Sequence, residues 1–193
     1  MPGSSLWLLP PKEHPLNSAL SGLIDQISSH FGSAHRFLPH VTLTSDISPS
    51  THGSHPQAWL DSMALPSARH VEVKFETLAS EDVFFRKLYI KCHKSAGLKQ
   101  LAEECRRKVD GFGDEGTATA WAAEVYNPHL SLLYHDCPQV HSDGLAEVDK
   151  LVQDARVNLD GQGEACGWNG GRVVLVPTDQ PIEQWRPIAE RLL

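Results

Sequence analysis

The feature that most constrains this chain is a short segment that occurs twice. Residues 39–43 read Pro-His-Val-Thr-Leu, residues 128–132 read Pro-His-Leu-Ser-Leu, and the two histidines stand 89 positions apart. Because successive side chains of a strand point to opposite faces, His40 and Thr42 share one face of their strand, as do His129 and Ser131 on theirs. Each copy therefore predicts a strand with an apolar back and a front that carries an imidazole beside a hydroxyl.

Length and charge limit the possible partners. A chain of 193 residues with 40% hydrophobic residues can bury a sizeable core, and the repeat predicts that residues 1–193 form one domain of two similar lobes. A protein that follows long nucleic acid normally carries a basic surface, whereas this chain has a net charge of −7. We therefore expect no long nucleic acid as a partner, while a small anionic ligand remains compatible.

The sequence contains no signal for secretion, membrane insertion or metal binding. The N-terminus lacks the basic start of a signal peptide, and no apolar run approaches the roughly 18 residues of a membrane span. We expect a cytoplasmic monomer with no membrane contact. His52 and His55 have metal-like spacing but no neighbouring cysteine or carboxylate cluster, so we predict no metal and no cofactor. The cysteines lack C-x-x-C spacing, which favours free thiols and leaves a disulfide open, and they are Cys92, Cys105, Cys137 and Cys166.

The spacing of apolar residues alternates between strand and helix patterns along the chain. Strands are predicted at residues 5–9, 39–44, 71–78, 83–92, 129–133 and 172–176, and helices at 16–31, 56–64, 98–109, 145–152 and 185–193, with loops at 45–55 and 111–119. Interleaved strands and helices predict an α+β fold. We expect two pseudo-symmetric lobes, each an antiparallel-rich sheet with helices on its outer face, and an active-site cleft between the sheets.

Two histidines that face each other are suited to acid–base catalysis. One neutral imidazole can take a proton from water while the other, protonated, gives one to a leaving oxygen, and free histidine titrates near pH 6.5. A hydroxyl two residues further along the same face can donate to a phosphate oxygen. Either motif alone is compatible with an ordinary strand, but a matched pair in so short a chain favours a phosphate-processing site.

The paired motifs resemble those of the two-histidine phosphoesterase superfamily, which carries tandem H-x-[ST]-x sequences. Within it, the chain is similar to the fungal-type cyclic nucleotide phosphodiesterases that act on by-products of tRNA splicing. The resemblance extends through residues 6–11 (Leu-Trp-Leu-Leu-Pro-Pro), 128–134, 167–171 (Gly-Trp-Asn-Gly-Gly) and 181–185. These stretches are distributed over nearly the whole chain.

The resemblance implies a bilobal fold and a metal-independent hydrolase. The implied reactions convert ADP-ribose 1'',2''-cyclic phosphate to ADP-ribose 1''-phosphate and nucleoside 2',3'-cyclic phosphates to 2'-phosphates. It also implies that His40 and His129 exchange protons with the substrate, that Thr42 and Ser131 hold the phosphate, and that Tyr134 contacts the substrate. The sequence does not decide which histidine is the base, with a slight preference for His129.

Three further residues carry weaker predictions. Tyr134 lies five positions after His129, so it reaches the same face only if the strand ends or bends first. Trp7 faces the cleft only if Leu6 and Leu8 are the buried pair, and it then either stacks on a purine or packs in the core. Lys87 either adds a positive charge near the phosphate or is a solvated lysine.

Two other functions remain open at this point. The same site could act on RNA ends, as a 2',3'-cyclic or 2'-5' phosphodiesterase or ligase, although the acidic balance of the chain counts against long RNA. A non-catalytic nucleotide-binding module is the other alternative. The presence of both histidines and both hydroxyl residues disfavours it.

Overall fold

The structure is a computed structural model that describes residues 3–163 and 165–193. Within these residues eight strands and six α-helices alternate along the chain. The strands are Ser4–Leu9 (β1), Val41–Ile47 (β2), Glu72–Ala79 (β3), Leu88–Cys92 (β4), His129–Leu133 (β5), Gly167–Asn169 (β6), Arg172–Pro177 (β7) and Ala189–Leu192 (β8). The helices are Leu16–His30 (α1), Pro49–His52 (α2), Pro56–Asp61 (α3), Ala96–Arg106 (α4), Glu115–Glu124 (α5) and Ser142–Asp154 (α6).

The strands form one curled antiparallel sheet in the order β6-β3-β4-β5-β2-β1-β7-β8. Two four-stranded halves meet where β5 pairs with β2, and these two central strands are the ones that carry the repeated motifs. The predicted α+β class and the two-lobed description are confirmed. The halves are joined edge to edge, so both motifs lie side by side at the middle of one sheet.

The two faces of the sheet have different coverings. The back face, from which Leu6, Leu8 and Val41 project, packs against the helices and forms the main hydrophobic core. The front face, from which Trp7 and Leu9 project, carries a second and smaller apolar cluster. This separation follows from the alternation of side chains along each strand, and it places the histidine face opposite the helical layer.

Each half supplies a helix that supports the motif strand of the other half. Among the strands, α1 follows β1 but packs mainly on β5, and α4 follows β4 but packs mainly on β2. The buried residues of α1 recur at three- and four-residue intervals along a single stripe, as an amphipathic helix requires, and they are Leu16, Leu20, Leu23, Ile24 and Ile27. The helices thus hold the two central strands against each other from behind.

Several predicted elements differ from those in the structure. The terminal segment is the edge strand β8 rather than a helix, because it supplies hydrogen-bond partners to β7. The predicted loop at 111–119 contains the start of α5, where the Asp114 side chain accepts a hydrogen bond from the amide of Thr117. Strand β2 continues to Ile47 and α2 follows it, within the segment predicted as loop.

The glycine-rich segment 167–171 ends in a close turn before β7. Gly171 has a φ of 122°, and a Cβ atom at this position would collide with the carbonyl oxygen of Leu9. Only glycine adopts this conformation without strain, so it allows β7 to run directly alongside β1. Among the described residues, no helix is long and apolar enough to cross a membrane, and Cys92, Cys105, Cys137 and Cys166 are free thiols.

Candidate active site

The repeated motifs form a four-cornered arrangement on the front face. Val41 of β2 lies directly opposite Leu130 of β5. Antiparallel pairing then places His40 opposite Ser131 and Thr42 opposite His129. Side chains directly opposite each other have Cβ atoms about 5 Å apart, and diagonal neighbours are about 7–8 Å apart. The two imidazoles therefore occupy one diagonal and the two hydroxyls the other.

Both imidazoles are held by the same local hydrogen bond. Nδ1 of His40 lies 2.6 Å from the carbonyl oxygen of Leu38, and Nδ1 of His129 lies 2.9 Å from that of Asn127. A carbonyl oxygen can only accept, so Nδ1 carries the hydrogen in both rings and Nε2 is the nitrogen available for proton exchange. In each motif the accepting residue immediately precedes the proline, whose ring restricts it to an extended conformation. This explains why the repeat includes proline.

His40 lies in the more enclosed of the two positions. Its ring stacks on Trp7 with 3.7 Å between ring centroids, and only 3% of its surface is exposed. Burial lowers the pKa of His40 to about 4, against the opposing effect of the hydrogen bond to Leu38, and proximity to His129 lowers it further. The electrostatic effect of one histidine on the other is consistent with their diagonal placement. An imidazole with a pKa this low is in its neutral form at pH 7.

His129 faces an open cavity on the β4 side of the motifs. The ring of Tyr89 contacts it edge-on, with 5.2 Å between ring centroids. Burial lowers the pKa of His129, and the nearby Arg86 acts in the same direction, while the Asn127 carbonyl and Glu81 oppose this shift. The cavity has a volume of about 510 Å³, and it is lined by Glu76, Glu81, Arg86, Tyr89, Lys91, Cys92, His93, Lys94, Asn127, Pro128 and His129.

The two motif hydroxyls differ in their hydrogen bonding. Ser131 donates to the carbonyl oxygen of Phe85 at 2.9 Å. The Thr42 side chain is half-buried and forms no hydrogen bond to another described residue. Thr42 can therefore donate to a ligand without losing an existing bond, whereas Ser131 has to exchange one partner for another.

Tyr134 reaches the front face because β5 contains a bulge. Ser131 lies opposite Tyr89 and Leu133 lies opposite Leu88, so Leu132 is an extra residue in β5. An extra residue reverses the alternation of faces, which brings Tyr134 to the same side as His129. The strand therefore bends before Tyr134, which was the condition for this residue to reach the face of His129. The Tyr134 ring stacks on Phe37 at a centroid distance of 3.8 Å, and 4% of its surface is exposed.

Tyr134 belongs to a group of aromatic side chains that covers the His40 side of the site. We call these residues the aromatic cluster, and they are Phe37, Phe84, Phe85, Tyr134 and Trp185. The rings of Phe85 and Trp185 stack at 6.1 Å, and the ring of Phe85 meets Tyr134 edge-on at 5.2 Å. The site is therefore closed on the His40 side and open on the His129 side.

Trp7 and Lys87 are the other two weaker predictions, and of these the structure brings only Trp7 to the motifs. Trp7 packs in the core against His40 with 1% of its surface exposed, so it is not available to stack on a purine here. The Nζ atom of Lys87 lies 2.7 Å from Asp82, the side chain is buried, and the residue does not line the cavity. The solvated-lysine alternative is wrong, because the predicted strand 83–92 is interrupted by a turn of 3₁₀ helix at Phe84–Arg86.

The same interruption explains why sequence analysis missed Arg86, Glu81 and Tyr89 as neighbours of the site. A continuous strand would turn Arg86 to the face opposite Tyr89, whereas both line the cavity beside His129. The polar triplet at residues 80–82, which precedes the 3₁₀ turn, is typical of a loop and was the available signal.

The remaining described residues contain no comparable arrangement. A larger cavity of about 840 Å³ lies beside β6 and the start of α1, away from both histidines, and Leu16, Lys74 and Trp168 are among its lining residues. No group of three or more histidine, cysteine, aspartate or glutamate side chains that could hold a metal ion converges within the described part of the chain.

The geometry therefore supplies two imidazoles with free Nε2 atoms, at least one free hydroxyl and an adjoining polar cavity. This set of groups can hold a phosphodiester and move protons on either side of it. The chain belongs to the family described as cyclic phosphodiesterase-like proteins, whose model matches residues 1–193. The predicted resemblance is thereby confirmed.

Proteins named 2',3'-cyclic-nucleotide 3'-phosphodiesterase are similar to this chain over its length. The protein of that name from Phaeosphaeria nodorum (strain SN15) is 70% identical over 193 residues, which are the whole of both chains. The one from Neurospora crassa is 45% identical over 213 aligned positions, again covering all of both chains. The one from Saccharomyces cerevisiae is 25% identical over 86% of this chain and 81% of its own length.

Proposed function

We propose that this protein is a 2',3'-cyclic-nucleotide 3'-phosphodiesterase that uses His40 and His129 as its acid–base pair. The observation that carries the proposal is the diagonal pair of imidazoles, each anchored through Nδ1 to the carbonyl two residues before it. The relatives' printed names supply the reaction class. The proposal extends to ADP-ribose 1'',2''-cyclic phosphate from tRNA splicing, which rests on the resemblance described above. It also includes a monomeric, single-domain protein in the cytoplasm, as expected from the sequence.

In the proposed reaction the cyclic phosphate lies between the two Nε2 atoms. The neutral imidazole takes a proton from water as the water oxygen bonds to phosphorus. The bond from phosphorus to the 3' oxygen breaks, and the protonated imidazole supplies a proton to that oxygen, which leaves a 2'-phosphate. The water and the leaving oxygen stand on opposite sides of phosphorus, as do the two imidazoles. Each turnover leaves the imidazoles with exchanged protonation states, which solvent then restores.

The Thr42 and Ser131 hydroxyls are proposed to donate to the non-bridging phosphate oxygens. Negative charge grows on these oxygens as the fifth bond to phosphorus forms, so a fixed donor stabilises the transition state more than the ground state. The low exposure of Ser131 and His40 excludes competing water and strengthens such hydrogen bonds. Tyr134 lies beside Ser131 and is proposed to contact the substrate when the aromatic cluster rearranges.

The proposed activity is tested by direct assay of the purified protein with a metal chelator present. We expect turnover of adenosine 2',3'-cyclic phosphate to the 2'-phosphate and of ADP-ribose 1'',2''-cyclic phosphate to the 1''-phosphate, with product positions read by phosphorus NMR. Loss of activity on adding the chelator would contradict the metal-independent mechanism. Faster turnover of a cyclic phosphate at an RNA end than of the mononucleotide would favour the RNA-end alternative.

A substrate with sulfur in place of the leaving 3' oxygen distinguishes the roles of the two histidines. A thiolate leaves without protonation, so the variant that lacks the general acid should regain activity on this substrate, while the variant that lacks the base should not. The comparison uses His40→Gln and His129→Gln. Recovery of both variants, or of neither, would contradict a division into one acid and one base.

We expect the pH profile of kcat/KM to be bell-shaped, with its maximum below pH 6.5. The reactive form carries one proton on the pair, and burial lowers the pKa of both His40, to about 4, and His129. Activity therefore falls as pH rises through the upper of the two values, because the acid loses its proton. It also falls below about pH 4, because the base becomes protonated.

The profile of kcat alone should be displaced to higher pH, since the bound phosphodiester anion raises the pKa of a neighbouring imidazole. Both profiles come from initial rates in buffers of constant ionic strength. A kcat/KM profile that is flat, or that peaks well above the ordinary histidine pKa of about 6.5, would contradict the assigned pair.

A further inference from the structure

The cavity beside His129 contains cationic groups that the hydrolytic mechanism does not use. Lys91 lies directly opposite His129 in the β4–β5 ladder, and it is exposed on the cavity wall. Its ammonium group forms no hydrogen bond or ion pair with any described residue. Arg86 lines the same cavity and is close enough to His129 to influence its pKa. We call the part of the lining that carries Arg86 and Lys91 the cationic wall. Because the chain as a whole has a net charge of −7, this positive charge is confined to one part of the surface.

Arg86 is held in place without using all of its hydrogen-bond donors. One terminal nitrogen of its guanidinium lies 2.8 Å from Glu81, and Glu81 also accepts a hydrogen bond of 2.7 Å from the hydroxyl of Tyr89. A guanidinium carries five N–H donors in a rigid plane, so the others remain available to a ligand. The Tyr89–Glu81 contact thus orients a planar cation toward the cavity instead of leaving it mobile.

The carboxylates of the cavity do not neutralise this wall completely. Glu81 is engaged by Arg86 and Tyr89, and the other carboxylate, Glu76, lies 3.2 Å from Nδ1 of His93. Lys94 adds a further positive charge, although its Nζ atom donates to the carbonyl of Ala123 at 2.7 Å. The open positions of the wall are therefore cationic and donor-rich, and such positions fit a phosphate group better than a nucleobase.

We propose that Arg86 and Lys91 form a second phosphate-binding site, for a phosphate or diphosphate on the far side of the ribose that carries the cyclic phosphate. The cavity adjoins the motifs at His129, whereas the aromatic cluster covers the His40 side. In ADP-ribose 1'',2''-cyclic phosphate, and in a nucleoside 2',3'-cyclic phosphate with a 5'-phosphate, one ribose ring separates the second anionic group from the reactive phosphorus. This inference rests on the proposed function and specifies its substrate class.

The test compares two substrates that differ in one group, adenosine 2',3'-cyclic phosphate with and without a 5'-phosphate. The readout is the ratio of their kcat/KM values. The wild-type protein should prefer the 5'-phosphorylated substrate. In Arg86→Gln and in Lys91→Gln this ratio should fall by about tenfold, the effect of losing one hydrogen bond to a charged group. Arg86→Lys should retain part of the preference, because it keeps the charge but loses the planar fork.

Lys150→Gln is the matched control, because it removes the same charge from an exposed position on α6. Its ratio should equal that of the wild type. Lys91→Gln breaks no contact with a described residue, so it keeps the test valid if Arg86→Gln folds poorly. A fall of both kcat/KM values by the same factor, or no change in either, would overturn the second site.

A binding measurement separates this inference from the proposed function. ADP-ribose carries the diphosphate but no cyclic phosphate, and its affinity can be measured by calorimetry without any reaction. Lys91→Gln should weaken its binding by about tenfold. If the wild type hydrolyses neither adenosine substrate, the proposed function fails, while the calorimetric comparison still decides whether the cationic wall binds phosphate. Equal affinities in the wild type and Lys91→Gln would refute the site even in an active enzyme.

Discussion

Replacing either His40 or His129 by glutamine should lower kcat on adenosine 2',3'-cyclic phosphate by about 10³-fold or more. Each imidazole is the proposed proton carrier on its side of the phosphorus, and an amide side chain cannot exchange a proton near neutral pH. Because the two act in the same step, the double variant should be little worse than the more damaged single variant. Steady-state kinetics of the two single variants and the double variant would measure both effects.

Two controls show whether a loss of activity comes from misfolding, or from replacing any histidine of the chain. Glutamine can keep a donor toward the Leu38 or Asn127 carbonyl, and the thermal unfolding of each variant shows whether the buried position tolerates it. His141→Gln changes an exposed histidine that caps no helix through its side chain, and it should leave activity at the wild-type value. Near-normal turnover by either motif variant would remove the basis of the paired mechanism.

The two motif hydroxyls should contribute unequally, with Thr42→Val costing about 100-fold in kcat and Ser131→Ala about tenfold. Loss of one preorganised donor to a developing charge typically costs about 10²–10³-fold. Thr42 is free to donate, so its loss should have the full effect. In the proposed mechanism Ser131 has to give up its hydrogen bond to Phe85 to donate to the phosphate, so its net contribution should be smaller.

Matched variants make this comparison specific for the hydroxyl group. Thr42→Ser keeps the donor and should retain most of the activity, whereas Val matches threonine in shape and removes only the donor. KM should change less than kcat if the hydroxyls act mainly in the transition state. A larger loss in Ser131→Ala than in Thr42→Val would show that the hydrogen bond to Phe85 does not compete with the phosphate.

The sequence was informative where one local rule determines the structure. The alternation of side chains in the repeated motifs is sufficient to place each histidine and hydroxyl on a common face, and β5 has the predicted bounds, His129–Leu133. The amphipathic spacing of α1 is equally local. The pairing of β2 with β5 could not be predicted in this way, because no local pattern indicates that these two strands are neighbours.

The sequence was less informative where the backbone departs from regular geometry. The bulge at Leu132 and the 3₁₀ turn at Phe84–Arg86 each change which side chains face the site, and neither leaves a distinct periodicity. The burial of Lys87 and the position of Arg86 beside His129 were consequently not predicted. The strand β8 was missed for a related reason, since its conformation is determined by pairing with β7 and not by its own residues.

The exchange of supporting helices between the halves has a consequence for folding. Helix α1 needs β5 to cover its apolar stripe, and α4 needs β2, so a fragment that ends before β3 would leave both α1 and the inner edge of β2 exposed to water. The repeats are therefore interdependent and should unfold in a single cooperative transition. Local unfolding of either half would disturb the other, because the two halves are joined only through the motif strands β2 and β5 within the sheet.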